Sequence, residues 1–174
     1  MYKSENVYLD GLQLKDSELL FKWINNRDLV LWNNNYTPIH EPNHTEWFDA
    51  VRKRDDVRTF AIRQCEDNKL IGTCQLFAIN FLNRSAELQI RIGEIAEQGK
   101  GFGTEAVRLL VKFGFKDLNL QRIYLHVFEN NERAIKIYNK VGFIKEGTLR
   151  DAEFIDGKYI NVIAMSILEN DYNE

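Results

Sequence analysis

The chain has 174 residues, a length that fits one domain, and its 44% hydrophobic and 28% charged content is that of a globular protein, which excludes a disordered chain. A formal net charge of −3 gives no support for a general nucleic-acid binder and suits a cationic or neutral substrate slightly better than an anionic one. Cys65 and Cys74 are too few for a disulfide framework and lack zinc-site partners, so no metal is expected.

In chain order, the polar start Met1-Tyr2-Lys3-Ser4-Glu5-Asn6 runs straight into a strand pattern. No signal peptide is read there, and no apolar stretch approaches the ~20 residues that span a bilayer, so a cytoplasmic protein without membrane attachment is expected. Val7 to Leu14 alternates as a strand, and Asp16 is placed to cap a helix carrying Leu19, Leu20, Trp23 and Ile24 on one face. Trp32 to Ile39 is Asn-rich and reads as loop; Pro42 to Arg54 resumes a helical pattern. Thr59 to Arg63 and Leu70 to Ile79 form a hairpin, on which Cys65 and Cys74 lie close enough to touch, although two reduced thiols are the plainer expectation. Ala86 to Ile92 alternates strictly as a further strand. A helix then runs from about Gly103 to Leu118, followed by a strand at Arg122 to Phe128 and a helix at Glu132 to Val141 closed by Gly142. Phe143 to Leu149 and Tyr159 to Leu168 are the last strands. The order predicts an α/β (α+β) fold: a mixed, mostly antiparallel sheet of about seven strands flanked by about four helices. No linker or repeat interrupts it, so residues 1–174 are expected to form a single domain.

The segment Gln98-Gly99-Lys100-Gly101-Phe102-Gly103-Thr104 lies between a strand and a helix. Glycines at alternate positions let several N–H groups converge on one point, and the following helix aims its positive end there. Such a loop suits a diphosphate, to which Lys100 adds a charge. A Walker loop needs Ser or Thr after Gly99-Lys100, where Gly101 stands, and a dinucleotide fingerprint needs glycine at Thr104. From spacing alone, a glycine-rich turn without a ligand remains an alternative.

Gln98 to Gly103 matches the Gln/Arg-x-x-Gly-x-Gly/Ala signature of the GNAT acetyltransferases. A second block, Asn131-Glu132-Arg133-Ala134-Ile135-Lys136-Ile137-Tyr138-Asn139-Lys140-Val141-Gly142-Phe143, resembles that family's Asn-x-x-Ala-x-x-x-Tyr-x-x-x-Gly-Phe element. Glu146-Gly147-Thr148-Leu149-Arg150, Asp156-Gly157-Lys158-Tyr159 and Met165-Ser166-Ile167-Leu168 are similar to its RimJ/RimL-like branch, as is Lys22-Trp23-Ile24-Asn25-Asn26. The resemblance covers about residues 7 to 172. It implies a GNAT fold, acetyl-CoA as co-substrate and direct transfer of acetyl to a primary amine. That amine belongs to a small molecule such as a polyamine or amino sugar, or to a peptide N-terminus.

The resemblance also implies site residues. Gln89, Ile90, Arg91 and Ile92 pair by their backbone with the pantetheine arm, residues 98–104 hold the diphosphate, and Tyr138 is the general acid. Tyr138 also fits a buried helical face, and a tyrosine ring can be buried while its hydroxyl works. Asn131 reads equally as a CoA contact or as a helix N-cap. Glu87, on a polar strand face with Gln89 and Arg91, is the candidate base or amine anchor, with His126 as rival. His40 and His44 lie on the substrate side, where Trp32, Tyr36, Trp47, Phe154 and Tyr159 offer an aromatic lining and Glu41, Glu46, Asp151, Glu153 and Asp156 an acidic one; an ordinary solvated rim is the alternative. Covalent transfer through a cysteine lacks a paired histidine. The rival functions are a non-catalytic acyl-CoA-binding or regulatory module on the same fold and an ATP or NAD domain. Monomer and homodimer both stay open.

Overall fold

The strict alternation around Ala86 to Ile92 lies at the centre of the molecule. In the computed structural model, which describes residues 2–172, it is strand β5 (Ser85–Ile92). Ahead of it come β1 (Tyr2–Lys3), β2 (Val7–Asp10), α1 (Ser17–Ile24), α2 (Arg27–Val30), α3 (Glu41–Val51), β3 (Arg58–Gln64) and β4 (Leu70–Asn80). After it come α4 (Phe102–Lys116), β6 (Arg122–Phe128), α5 (Glu132–Val141), β7 (Ile144–Ile155) and β8 (Lys158–Leu168). Eight strands form one sheet in the order β1-β2-β3-β4-β5-β6-β8-β7. The β5–β6 pair is parallel and the other neighbours are antiparallel. This is the mixed, mostly antiparallel α/β architecture expected. The elements beyond the expected set are the two-residue β1 and the four-residue α2, both too short to show a periodicity. Met1, Asn173 and Glu174, the ends of the 1–174 span, lie outside the described residues. No helix among the described residues is long and apolar enough to cross a membrane.

The core sits between the sheet and α4. Ala106, Val107, Leu110 and Val111 are fully buried, together with Ile71, Leu76, Ile123 and Ile167 of the sheet. A smaller cluster of Leu20, Trp23, Leu29, Ala61 and Leu70 seats α1 and α2 on the opposite face. The register of that helix pair is held by close approach: a Cβ on Gly93 would stand 2.0 Å from the Trp23 ring. The helical layers therefore grip the sheet from both faces.

Three local expectations are corrected. Asp16 makes no side-chain cap on α1. Its carboxylate turns inward, accepting from the Gln13 N–H at 2.7 Å and from Arg63 Nη2 at 2.7 Å, because a guanidinium buried in β3 needs a counter-charge. Cys65 and Cys74 do not meet. The hairpin register sets Cys74 opposite Phe60, while Cys65 lies beyond β3 with its Sγ on the Ser4 carbonyl. Strand β7 continues past Leu149 to Ile155 through register shifts and a left-handed Asp151 (φ 48°), which break the alternation from which a strand is read.

Two outcomes follow from this packing. Arg63 and Asp16 are only 4% and 3% exposed, so Asp16→Ala leaves the buried guanidinium with Asp10 alone, at 3.3 Å, and should cost about 3 kcal/mol in urea unfolding. At the β6–β7–β8 end, hydrogen bonds from both Nη groups of Arg122, then from the Ser166 hydroxyl, pull Glu146 from its ordinary 4.5 down to about 2. A lowered carboxylate pKa contributes stability above 4.5 that is lost as pH falls toward 2. Glu146→Gln should therefore flatten the acid limb of a stability-versus-pH curve over that window.

Candidate active site

The site begins where the sheet parts. Strands β5 and β6 pair in parallel only from Ser85–Glu87 against Arg122–Tyr124. Beyond Glu87, β5 stays on β4 through Ile92, and β6 stays on β8 through Phe128. The facing edge of residues 88–92 is left without a strand partner, a row of N–H and C=O groups that an extended amide ligand can pair with. The wedge opens into a cleft of about 920 Å³.

At the mouth of the cleft the glycine loop takes the conformation its sequence predicts. Gly99 and Gly101 have φ of 84° and 91°, where a side chain is strained, and Gly101 is the N-cap of α4. A Cβ at either position would meet nothing within 4 Å, so both face open space. Thr104 and Glu105 both donate to the Gly101 carbonyl, which starts the helical ladder there and leaves the Phe102 and Gly103 amides outside it. Gly103 serves packing instead: its Cβ would press Ile137 at 3.2 Å and approach Ile92 at 3.8 Å, so α4, α5 and β5 converge on it.

Of the other loop residues, Gln98 is engaged at both ends. It donates to the Ile92 carbonyl at 2.8 Å and accepts from Arg133 at 2.9 Å, tying β5 to the loop and to α5. Lys100 points away and pairs with Glu97 at 2.8 Å, and neither it nor Phe102, which packs on the core, lines the cleft. Gln89 to Ile92, Thr104 and Asn131 do line it. Asn131 caps α5 by accepting from the Ala134 N–H and also donates to the Trp32 carbonyl. Arg133, Lys136 and Lys140 of α5 add a positive wall that the sequence reading passed over. Their recurrence at three- and four-residue steps was the signal for it.

Tyr138 reaches the cleft from α5 with its ring packed near Phe143 and only 7% of its surface exposed. Burial pushes its phenol above the ordinary 10.0, so it stays protonated and able to donate near neutral pH. The rival bases prove to be partners: Glu87 Oε1 and His126 Nδ1 are 2.8 Å apart, beside the edge of the Tyr124 ring. Glu87 stands opposite Tyr124 and His126 follows two residues on, which puts both on one face of the sheet.

The substrate-side candidates divide. His44 is buried; its Nε2 is 2.9 Å from the Ser17 carbonyl and its ring lies among Phe21, Trp47 and Phe48, a structural role. His40 is the residue before α3. Phe154 and Tyr159 pack against each other with tilted rings, and Asp156 pairs with Arg27. Trp32 and Glu153 line the cleft, whereas Tyr36, Trp47, Glu41, Glu46 and Asp151 do not.

The chain matches known proteins along most of its length. A family model described as an acetyltransferase (GNAT) domain matches residues 6–144. The spermidine N(1)-acetyltransferase of Vibrio cholerae is 41% identical over 115 residues, 66% of this chain and 65% of that protein. Its Escherichia coli K12 counterpart is 44% identical over 66% of this chain and 60% of its own length. The match thus spans less than two-thirds of these two curated relatives. An uncharacterized N-acetyltransferase of Bacillus licheniformis is 32% identical over 97% of this chain and 96% of that protein. A crystal structure of the V. cholerae spermidine N-acetyltransferase in complex with CoA and spermine superposes with a TM-score of 0.89 at 32% identity, covering 95% of this chain and 97% of that one. Within the present chain, Gly101→Ala forces a β-carbon into the left-handed conformation and should cost about 1–2 kcal/mol, read by thermal or urea unfolding.

Proposed function

The chain belongs to the GNAT acetyltransferase family, and we propose that it is an acetyl-CoA-dependent N-acetyltransferase acting on a primary amine of a small molecule. The observation that carries this is the parted β5–β6 wedge with the glycine loop at its mouth and Tyr138 inside it. The motif blocks of the RimJ/RimL-like branch also admit a peptide N-terminus. The relatives named as spermidine N-acetyltransferases favour a small amine instead. A cytoplasmic setting and a catalytic domain spanning residues 1–174 belong to the same proposal.

When bound, acetyl-CoA supplies an acyl group activated as a thioester. The amides of the glycine loop and the N-terminus of α4 hold the diphosphate, while Arg133, Lys136 and Lys140 add positive charge beside it. The open edge of β5 pairs with the pantetheine amides, and an N–H of that edge polarises the thioester carbonyl. A lysine-type ammonium has a pKa of about 10.4, so the incoming amine must first lose a proton; the Glu87–His126 pair takes it, directly or through water. As the N–C bond forms and the C–S bond breaks, the Tyr138 hydroxyl donates its proton to the departing sulfur, and the second proton that the nitrogen sheds on becoming an amide restores the phenol through water.

The rival, a non-catalytic acyl-CoA-binding module, makes the opposite forecast for one variant. Tyr138→Phe should lower kcat by at least about tenfold while the dissociation constant for CoA stays within about twofold. The check is thiol release from acetyl-CoA across polyamines, amino sugars, aminoglycosides and short peptides, with CoA binding by calorimetry. A wild-type chain that binds CoA but releases no thiol with any amine would establish the binding module instead.

A further inference from the structure

Arg91 shares its strand face with Glu87 and Gln89, but its surroundings set it apart. Its side chain stands between the main cleft and an adjoining pocket of about 220 Å³, whose polar lining is Asn34, Asn35 and Thr37. One Nη donates to Asn33 Oδ1 at 3.0 Å. Its Nε is buried with no hydrogen-bond partner, and no carboxylate reaches ion-pair distance among the described residues. Burial pushes its guanidinium below the ordinary value. Arg63, the arginine buried one strand pair away, holds two carboxylates, Asp10 and Asp16.

A half-buried cation with a buried, unmet donor is costly to hold, and a ligand oxyanion would complete it. The fork of a guanidinium matches the paired oxygens of a carboxylate or phosphate. The pocket beside Arg91 offers carboxamides and a hydroxyl but no acidic side chain, so a cationic ligand finds no counter-charge there.

Resting on the transferase assignment of this cleft, we propose that the acceptor is an amine carrying an oxyanion group, which Arg91 takes while the amine sits at the Glu87–His126 pair. Four residues of strand separate Glu87 from Arg91, about 13 Å at ~3.3 Å per residue. The acceptor therefore spans on the order of 10 Å between amine and oxyanion. A free polyamine has no oxyanion and meets a like charge at Arg91, so the acceptor differs in class from the spermidine named for the relatives.

The test uses matched acceptors in the thiol-release assay: lysine against 1,5-diaminopentane for a carboxylate, and glucosamine 6-phosphate against glucosamine for a phosphate. With the wild-type chain, the anionic member of at least one pair should show kcat/KM at least about tenfold higher, and that pair identifies the oxyanion. Arg91→Gln should raise KM for that acceptor at least about tenfold with kcat within about threefold, and Arg91→Lys should recover part of the loss. Equal turnover within both pairs, or a KM indifferent to Arg91→Gln, overturns the assignment. If Arg91→Gln fails to fold, judged by circular dichroism, Arg91→Lys carries the test, because the fork is lost while the charge remains.

If no acceptor releases thiol, the transferase assignment fails by itself. The oxyanion site is then read from the CoA-saturated chain in inorganic phosphate or glutarate. Thermal stabilisation of the wild type that is lost in Arg91→Gln and weakened in Arg91→Lys supports it, and equal behaviour of all three overturns it.

Discussion

Everything at the cleft depends on the loss of hydrogen bonding between β5 and β6 after Glu87 and Tyr124. A parallel pair that stops early inside a sheet would ordinarily leave costly unpaired amides on both strands. Here each strand keeps a partner on its outer side, β4 for one and β8 for the other, so only the facing edges are left open. The wedge is held apart from below, because α4 begins at its mouth and packs Gly103 between Ile92 of β5 and Ile137 of α5. A ligand with amide groups along an extended arm completes the sheet, and a diphosphate completes the helix.

Charge is divided between the two sides of this wedge. Along α5, Arg133, Lys136 and Lys140 make a positive wall next to the glycine loop, although the chain as a whole carries a net charge of −3. On the opposite face of the sheet, Glu87 and His126 are hydrogen-bonded at one end of β5, and Arg91 stands without a carboxylate at the other. Net charge reports the average of such a surface, whereas a ligand meets a local field within a few ångströms.

Arg63 and Arg91 show how similar residues take different roles. Arg63 is satisfied by Asp10 and Asp16 and ties β2, β3 and the entry to α1 together. Arg91 lies two strands further along the same sheet with only a carboxamide for company. The first arrangement is complete within the chain, and the second is complete only with something bound. Arg63 is buried and Arg91 half-buried, but what sets their roles is the presence of a counter-ion.

How much was legible in the sequence varies with the range of the interaction. Periodicity placed the longer strands and helices, and glycine spacing placed the anion loop, because both are set by neighbours within a few residues. Tyr138 was legible as both core and site, since its helical face and its motif coincide. The pairing of Glu87 with His126, the inward turn of Asp16 and the separation of Cys65 from Cys74 were not, because each depends on register across strands distant in sequence. Nor was the isolation of Arg91, which alternation assigned to a solvated face until the Asn33 to Asn35 segment folded over it. By itself the sequence determined the local geometry of the glycine loop, with Gly99 and Gly101 left-handed ahead of α4, and the order of elements around it. The tertiary structure alone decided which charges meet partners and which are left for a ligand, because counter-charges are brought together by long-range packing and not by spacing along the chain.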